Sequence, residues 1–484
     1  MKVYIENRSV FTVIMSLITV ILSMLSLLYN DVYLMWFTVL LLFFILVYDV
    51  GKSGNKAIVF GGFLISFFTF LIGKYALQML AGDIQTIFSY SLFFEEVINV
   101  YLSLLALLVG YIVFKRKTIE APLDEQGFKH YKQSTEVIGY YARILFYICI
   151  LFSITVNIDI ASQTFGNLYL IARTVESRLP ILIQKIGQMS PMFFWIFLST
   201  LPSKKQFKIP CLLFVFCATL TLFTGSRNAF VVNIMVIAMY VYFRHSIHDK
   251  LDEDIWLSRT IMIPVVLLVP IMVVFLGFMA NIRLGENVQY EGMIAGLMYF
   301  FDQQGGSADV IGRGLYCKES GLLPDTNQSY TMGPIINYFR NGFLGQILGY
   351  SLLSTSSQDV ALATYGNNLG ATVTYLMAES YYFIGGGFGT CYVAELAVDF
   401  GYAGVIIYNF FLGWLFNNIN YFRSEKWWKN ALGLLIIRNI IFMPRDFALG
   451  FIASLLSVTN LLPLLILLIL EKYMKWRPRE VNNH

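Results

Sequence analysis

Residues 280 to 401 separate two apolar spans, and this stretch ends in the sequence 383-FIGGGFGTCYVAELAVDFGYAG-404. Three further motifs precede it, at 300-FFDQQGGSADVIGRG-314, 337-NYFRNGF-343 and 364-TYGNNLGATVTYLMAE-379. A connection longer than about 15 residues is usually functional or disordered. This one is too rich in aromatic and apolar residues for disorder. We therefore expect it to be folded, and the side of a membrane on which it lies decides much of what the protein does.

The whole chain has the composition of a membrane protein. Of its 484 residues, 57% are hydrophobic and 13% are charged, and the mean hydropathy is +0.66. A soluble domain carries about 25% charged residues. The net charge of +4 is small and spread out, which argues against nucleic-acid binding. The five cysteines show no metal-binding spacing. The first apolar span lacks an A-x-A-like cleavage site, so we expect a retained helix.

Apolar runs of about 15 to 22 residues predict an all-α polytopic integral membrane protein with about twelve transmembrane helices. The predicted spans cover residues 10–28, 32–48, 57–80, 97–114, 138–158, 186–201, 209–223, 229–243, 261–280, 402–419, 431–442 and 447–470.

The distribution of Lys and Arg predicts the orientation. About 22 of the 34 Lys and Arg lie in alternate connections and at the two ends of the chain, so this side is expected to be cytoplasmic. Both termini then lie in the cytoplasm. The chain divides into spans one to nine with short loops (1–280), a large external loop (281–401), and spans ten to twelve with a cytoplasmic tail (402–484).

The outer side is expected to carry arginines, which the positive-inside rule disfavours there. These are Arg173, Arg178, Arg227, Arg283, Arg313, Arg340 and Arg445, with three lysines at Lys74, Lys185 and Lys318. A guanidinium is a planar, permanently charged fork that binds phosphate through two hydrogen bonds. The alternative is that these arginines pair with acids on surface loops. Among them, Arg173 and Arg178 flank Glu176, in a segment interpreted either as a basic helical lid or as a solvated loop helix.

Arg227 lies in the short turn 224-TGSRNAF-230. Ser226 or Asn228 can cap the following helix, which places Arg227 at a helix N-terminus. An anion there would meet both free backbone N–H groups and the guanidinium. The alternative is an arginine that extends to the membrane interface.

Arg445 lies in the second short turn, 443-MPRDFALG-450. Pro444 ends one helix, and Asp446 is expected to cap the next helix and to hold Arg445. Arg438 lies seven residues earlier, on the same helix face and about two turns deeper. An ionisable residue inside a span is a functional candidate, and a buried ion pair is the alternative.

Several carboxylates are candidates for a catalytic base. Glu395 and Asp399 are four residues apart and share one helix face, and Glu379 follows an apolar run. Further acids occur at Asp302, Asp309, Glu95 and Glu96. A carboxylate in a dry cleft can have its pKa raised toward the working range. Helix capping and pairing with the arginines are the alternative roles.

Other residue types limit the chemistry. The histidines are His130, His245, His248 and His484, all expected to be cytoplasmic, so an outer histidine base is disfavoured. No outer cluster of His, Cys and acids indicates a metal. The run Asp252-Glu253-Asp254 is interpreted as a solvated charge run. Whether the outer cysteines, Cys317 and Cys391, pair is left open.

With these residues in place, the chain resembles the O-antigen polymerase (Wzy) family of bacterial surface-polysaccharide assembly. The resemblance covers most of the chain. It rests on the number of spans, the single long external loop, and the motifs at 224–230, 383–404 and 443–450. It implies a GT-C-like membrane glycosyltransferase of the bacterial inner membrane that uses no metal, cofactor or nucleotide sugar.

The resemblance also implies the substrate and the residues that bind it. Family members transfer a growing glycan from undecaprenyl pyrophosphate to a new lipid-linked repeat unit at the outer leaflet, and outer arginines are thought to handle the pyrophosphate. That role would fall on Arg227 and Arg445, with Arg283, Arg313 and Arg340 in the long loop. A chain-length regulator and a flippase are the implied protein partners.

Three alternatives remain open. An O-antigen ligase shares the overall plan but is expected to use an outer histidine. A flippase of lipid-linked oligosaccharides has a similar number of spans but short loops. An ion-coupled transporter would be expected to show internal repeats, which this sequence lacks.

Overall fold

The computed structural model describes residues 7–82, 84, 86–114, 124–164, 175–223, 227–258, 293–350, 353, 358–419 and 424–481. All regular structure within these residues is helical. The predicted ninth span, 261–280, and the start of the predicted external segment lie outside the described residues.

The helices up to residue 258 are α1 (Asn7–Tyr29), α2 (Val32–Ser53), α3 (Ile58–Phe67), α4 (Gly73–Ala81), α5 (Tyr90–Val113), α6 (Glu125–Thr164), α7 (Ile181–Gln188), α8 (Ser190–Ser199), α9 (Lys204–Phe223) and α10 (Arg227–Ser246). The helices after residue 292 are α11 (Met293–Glu319), α12 (Gly333–Asn341), α13 (Phe343–Ile347), α14 (Val360–Tyr365), α15 (Leu369–Met377), α16 (Glu379–Phe383), α17 (Tyr392–Asn418), α18 (Trp427–Phe442), α19 (Gly450–Leu456) and α20 (Val458–Val481). A π-helical segment, Phe68–Ile72, joins α3 to α4.

Within the described residues, nine helical spans are long and apolar enough to cross a membrane, or ten if the pair α19 and α20, bent by 46°, forms one span. The nine match the predicted spans one to eight and ten, and the bent pair matches the twelfth. Helix α18 matches the eleventh but has only 16 residues. The prediction of an all-α polytopic membrane protein is therefore confirmed, while the count of twelve and the GT-C-like architecture stay predictions.

The bundle is built around a close crossing of α5 and α17. A Cβ atom at Gly110 would lie 2.0 Å from the backbone oxygen of Phe410, and one at Gly413 would lie 2.4 Å from that of Leu107. Small residues at such crossings let two backbones approach without an intervening side chain. Beside the crossing, the rings of Phe60 and Phe416 stack at 4.6 Å.

Helix α17 is bent at Gly401, whose backbone has φ +63°. Only glycine adopts this conformation without a steric penalty from Cβ. The side-chain amine of Lys318 donates to the carbonyl oxygens of Ala397 and Val398, in the last turn before the bend. Helix α17 begins at Tyr392, ten residues before the predicted span 402–419. The bend at Gly401 falls at the predicted start of that span.

The described part of the predicted external loop is largely helical and belongs to the bundle. Its longest helix, α11, packs against the segment Phe68–Ile72, α4, α5 and α17. Cys317 on α11 and Cys391 before α17 are both buried free thiols, so they do not form a disulfide. The apolar and aromatic residues that argued against disorder in this segment therefore contribute to the packing of the transmembrane helices.

A network of buried charges lies at the C-terminal end of α10. Arg244 is fully buried, pairs with Glu253 and donates to the carbonyl oxygen of Pro202 at 2.7 Å. Lys132 also pairs with Glu253, and Lys129 pairs with Asp252 at 2.6 Å. The interpretation of residues 252–254 as a solvated charge run is therefore wrong for Glu253. Its carboxylate pairs with the buried guanidinium of Arg244, which directly follows the predicted eighth span, 229–243.

The α5–α17 crossing gives the first prediction. Gly413→Ala and Gly110→Ala should each lower the melting temperature of the detergent-purified protein, because overpacking a tight contact costs about 1–3 kcal/mol. Gly433→Ala is the matched control, since a Cβ there meets nothing within 4 Å. Equal melting temperatures for all three variants and the wild type would contradict this account of the crossing.

Candidate functional site

The predicted Arg445 turn, residues 443–450, is held in place by α17 over its first part, Met443–Ala448. A 3₁₀ turn covers Met443–Arg445. The carboxylate of Glu395, which is fully buried, accepts the backbone N–H of Ala448 at 2.9 Å through Oε2. Its Oε1 accepts the hydroxyl of Thr390 at 2.7 Å, and the hydroxyl of Tyr408 donates to the carbonyl of Ala448. Glu395 therefore fixes the backbone that carries Arg445.

The guanidinium of Arg445 reaches from this turn to α11. Its Nη1 donates to Oε1 of Gln304 at 2.9 Å, and Gln304 is buried. The guanidinium carbon lies 5.4 Å from the centre of the Phe70 ring. The aromatic face and the amide oxygen both contribute to the orientation of the guanidinium. Arg445 thus joins α11, the segment Phe68–Ile72 and the turn.

Arg438 approaches the same turn from within α18. Its Nε donates to Oδ1 of Asn233, a buried residue of α10, at 2.9 Å. Its charge also acts on the carboxyl of Asp446. The predicted grouping of Arg438 with the Arg445 turn therefore agrees with these contacts. We call Arg438 and Arg445, with Asn233, Gln304 and Asp446, the arginine site.

Asp446 does not cap the next helix as predicted. Its Oδ1 accepts only the neighbouring N–H of Phe447, at 2.8 Å, and α19 begins at Gly450 after Leu449, with no side-chain cap. Three residues between the carboxylate and the helix place it too early to cap. Burial raises the pKa of Asp446 to about 6, although the N–H of Phe447 and the charge of Arg438 act in the other direction.

Arg227 is the first residue of α10. Asn233, which contacts Arg438, lies six residues further, about 9 Å along the helix axis. The start of α10 is thus at the same end of the bundle as the arginine site. The residues before it, 224–226, lie outside the described part of the chain.

An ion pair between α4 and α11 neighbours the arginine site. The amine of Lys74 lies 2.9 Å from both carboxylate oxygens of Asp309, and the hydroxyl of Tyr75 donates to Oδ1 at 2.6 Å. Arg313 follows one turn later on α11, with its guanidinium 3.8 Å from the centre of the Phe388 ring. Burial lowers the pKa of Arg313, while the charge of Asp309 raises it. The sequence analysis named Lys74 and Asp309 separately and did not predict the ion pair between them.

Asp399 has a different environment from that of Glu395. Its carboxylate accepts the backbone N–H groups of Thr331 at 2.8 Å and Tyr330 at 3.3 Å, and the hydroxyl of Ser329 at 3.2 Å. It therefore fixes the segment that leads into α12. The two acids lie on one helix face as predicted but bind separate segments.

The remaining predicted residues lie elsewhere. Arg340 donates to the carbonyl of Tyr365 at 3.2 Å. Arg178 has an exposed side chain, and its backbone N–H donates to Asp159 at 2.8 Å. Glu379 is exposed at the start of α16. Two further predicted residues, Arg173 and Arg283, lie outside the described residues.

The best-defined cavity lies away from the arginine site. It has a volume of about 460 Å³ and is lined by residues of α6, the connection from α8 to α9, and Leu251. Lys129 and Lys132 in its wall belong to the opposite, lysine-rich end of the bundle. We place the candidate site at the arginines because charge and neighbouring helices converge there. No group of residues that could hold a metal ion occurs among those the structure describes.

These features define a polytopic, all-α membrane protein with half-buried arginines gathered at one end of its helices. The family model for the O-antigen polysaccharide polymerase Wzy matches residues 10–477. The chain therefore belongs to this family, as the resemblance predicted, and membership implies a polymerase of O-antigen repeat units in the bacterial inner membrane. No curated protein and no solved structure matches the chain.

The carboxyl of Asp446 gives the second prediction. Its folded-state pKa of about 6 exceeds the ordinary value of 3.8, so the folded protein binds this proton more tightly and is stabilised as pH falls toward 5. Arg438 on α18 and Glu395 on α17 are the titratable groups that interact electrostatically with it. Asp446→Asn should raise the melting temperature by about 1–3 °C at pH 7.5 and by less at pH 5.0.

Thermal unfolding in detergent at the two pH values measures this difference, with the exposed Glu379→Gln as the control. A variant that is less stable than the wild type at pH 7.5, and recovers at pH 5.0, would show instead that the ionised carboxylate stabilises the arginines.

Proposed function

We propose that this chain is a membrane glycosyltransferase that joins undecaprenyl-pyrophosphate-linked oligosaccharide repeat units into O-antigen or a related surface polysaccharide. Family membership supports the polymerase activity. One structural observation supports the site: Arg445 lies in the turn Met443–Ala448, and Arg438 on α18 interacts electrostatically with Asp446 of the same turn. Arg438 donates to the amide oxygen of Asn233, and Arg445 donates to that of Gln304.

The chemistry follows from the leaving group. In the transfer, a hydroxyl oxygen of the acceptor sugar bonds to the anomeric carbon of the donor. The bond from that carbon to the pyrophosphate oxygen breaks, and its electron pair stays on the pyrophosphate. Arginine groups in a water-poor site stabilise this developing charge, as preorganised donors do in other transfer reactions. In this proposal Arg445 and Arg438 bind the pyrophosphate, Arg227 contributes from the start of α10, and no divalent metal is needed.

The depth of the site suits a lipid substrate. Helix α18 has 16 residues, about 24 Å, whereas the hydrocarbon core of a bilayer is about 30 Å thick. A turn that follows so short a helix is expected at the membrane boundary rather than well above it. A pyrophosphate attached to a polyprenyl chain can reach this depth from the side, with its chain remaining in lipid.

The proposed orientation places this end of the bundle outside and both termini in the cytoplasm. Support comes from the opposite end, where Lys129, Lys132 and Arg244 gather with their acids, as expected for the cytoplasmic side. The proposal keeps a substrate-binding role for the other predicted outer residues. These are Arg173, Arg178, Arg283, Arg313, Arg340 and Glu379.

Glu395 and Asp399, predicted as catalytic residues, receive positioning roles in this proposal. Glu395 holds the backbone of Ala448, and Asp399 holds the backbone from Ser329 to Thr331. Their loss would misplace the Arg445 turn and the entry to α12. Catalytic participation of either acid stays a prediction.

Two alternatives fit these observations less well. A ligase of the expected kind would need a histidine near the arginines, but His130, His245 and His248 lie at the lysine-rich end. A flippase is expected to have short loops. Here the segment from α11 to α16 is folded into helices, and α11 packs against α4, α5 and α17. The membership of the polymerase family favours neither alternative.

Arg445 gives the third prediction. In a deletion strain, wild-type protein should restore a ladder of surface polysaccharide on a gel, whereas Arg445→Ala should leave mainly core plus one repeat unit. Loss of one electrostatic stabiliser costs about 10²–10³-fold in rate. Arg445→Lys should restore part of the ladder, because an ammonium keeps the charge but not the fork.

Lys205→Ala is the control, since that exposed cation lies at the start of α9 and has no role in the proposal. Protein amounts in the membrane are compared by immunoblot. A normal ladder from Arg445→Ala would contradict the pyrophosphate role. Loss of every repeat-bearing band in the deletion strain would favour the flippase or ligase instead.

A further inference from the structure

The cavity at the lysine-rich end of the bundle has no role in the function proposed so far. It has a volume of about 460 Å³ and lies between α6 and the connection from α8 to α9. Its wall on α6 contains the cations Lys129, Lys132 and Arg143 and one acid, Glu136. Small-molecule sites in proteins have volumes of about 300–1,000 Å³. The cavity is therefore large enough for a charged headgroup, and cations outnumber acids in its wall.

Arg143 is the cation in this wall that lacks an acidic partner. It is half-buried on α6, five residues inside the predicted span 138–158, with its guanidinium carbon 6.0 Å from the centre of the Tyr140 ring. Arg143 takes part in none of the ion pairs formed within the described part of the chain. Lys129 and Lys132, by contrast, pair with acids that do not line the cavity. An ionisable residue inside a span is a functional candidate, and here its charge is left for a ligand.

The facing wall is polar and firmly held. The backbone N–H of Ser203 donates to Oε1 of Gln206 at 3.0 Å, and the N–H of Gln206 donates to the hydroxyl of Ser203 at 3.4 Å. Pro202, also in this wall, accepts the guanidinium of Arg244 at 2.7 Å through its carbonyl. Lys132 belongs to the same network of buried charges. That network therefore fixes both sides of the cavity.

The surroundings of the cavity indicate a lipid rather than a free anion. The two helices that border it, α6 and α9, pack against each other. Beyond the cavity, α6 exposes Ile148 and Leu151, and α9 exposes Ile209 and Leu212. Exposed apolar side chains along transmembrane helices are expected to face acyl chains. A headgroup in the cavity can therefore keep its chains along these two helices.

We propose that this cavity binds the headgroup of an anionic phospholipid, with the lipid phosphate on Arg143. A guanidinium binds phosphate through two hydrogen bonds, and a helical side chain points back toward the start of its helix, here toward the lysines. Basic pockets between transmembrane helices on the cytoplasmic side bind such headgroups. Lys129 and Lys132 add attraction for the negative charge.

The remaining polar groups suit the glycerol headgroup of phosphatidylglycerol. Gln206 and Ser203 supply hydrogen-bonding groups from the facing wall, and the exposed Glu136 accepts a headgroup hydroxyl. In the proposed orientation this lipid comes from the cytoplasmic leaflet. The inference does not depend on the polymerase reaction, because its readouts are lipid binding and stability.

The fourth prediction concerns the affinity for this lipid. Phosphatidylglycerol, titrated into the purified full-length protein in a neutral detergent, should raise the melting temperature at lower mole fractions than phosphatidylethanolamine with the same acyl chains. Arg143→Gln should weaken the apparent affinity for phosphatidylglycerol by about 10- to 100-fold, since hydrogen bonds to a charged group are lost. Arg143→Lys should show a smaller loss, because it keeps the charge. Lys429→Gln is the matched control, an exposed cation at the start of α18 outside the cavity wall.

Two further readouts separate lipid binding from packing. In detergent without phosphatidylglycerol, Arg143→Gln should melt at the wild-type temperature or above it, because the lost charge has no acidic partner. Native mass spectrometry should then find one tightly bound phosphatidylglycerol fewer on Arg143→Gln than on the wild type and on Lys429→Gln.

Equal affinity of the wild type and Arg143→Gln for phosphatidylglycerol would overturn the proposal. So would a lower melting temperature of Arg143→Gln without lipid, combined with an unchanged lipid-dependent shift. Equal affinity of the wild type for the two phospholipids would contradict recognition of a negative headgroup. The same shift from inorganic phosphate at equal concentration would assign the cavity to a free anion and overturn the lipid assignment.

Discussion

The position of Arg445 depends on one buried hydrogen bond, from the backbone N–H of Ala448 to the carboxylate of Glu395. A buried acid requires a partner, and a short turn between two membrane helices requires something to fix its free backbone groups. The carboxylate of Glu395 and the backbone N–H of Ala448 therefore supply each other's hydrogen-bond partner. Glu395 stands on α17, which crosses α5 closely at Gly110 and Gly413, so this crossing helps to position the turn.

Helix α11 joins the parts of the site. It supplies Gln304 to Arg445, Asp309 to Lys74 and Arg313 to the Phe388 ring, and it packs against α4, α5 and α17. Helix α11 therefore packs into the bundle and also carries residues of the proposed site. If the proposed function is correct, a substitution on α11 would affect both helix packing and substrate binding.

The sequence predicted the parts of this protein that depend on local patterns. Apolar runs located the helices because a bilayer demands about 20 apolar residues in succession. The turn at Arg445 was predicted from Pro444, and the structure has a 3₁₀ turn there, whereas residues 224–226 before Arg227 lie outside the described part of the chain. The family also followed from such motifs in combination.

The sequence did not predict contacts between distant residues. Lys74 and Asp309 are 235 positions apart, and neither has a neighbour in sequence that indicates the other. Glu395 was identified as an acid at the mouth of a span, but its partner at Ala448 belongs to another helix. The cap expected from Asp446 failed because α19 starts three residues later than the Pro444 signal suggested. Such details depend on tertiary packing, which local propensity does not encode.

The most direct test of the central claim is a reconstitution in lipid vesicles with undecaprenyl-pyrophosphate-linked repeat units and EDTA. The account predicts products that are multiples of the repeat unit on the lipid carrier, with one free undecaprenyl pyrophosphate released for each glycosidic bond. Mass spectrometry and phosphate analysis measure both. Unchanged repeat units that merely cross the bilayer, or products that form only when a divalent metal is restored, would contradict it.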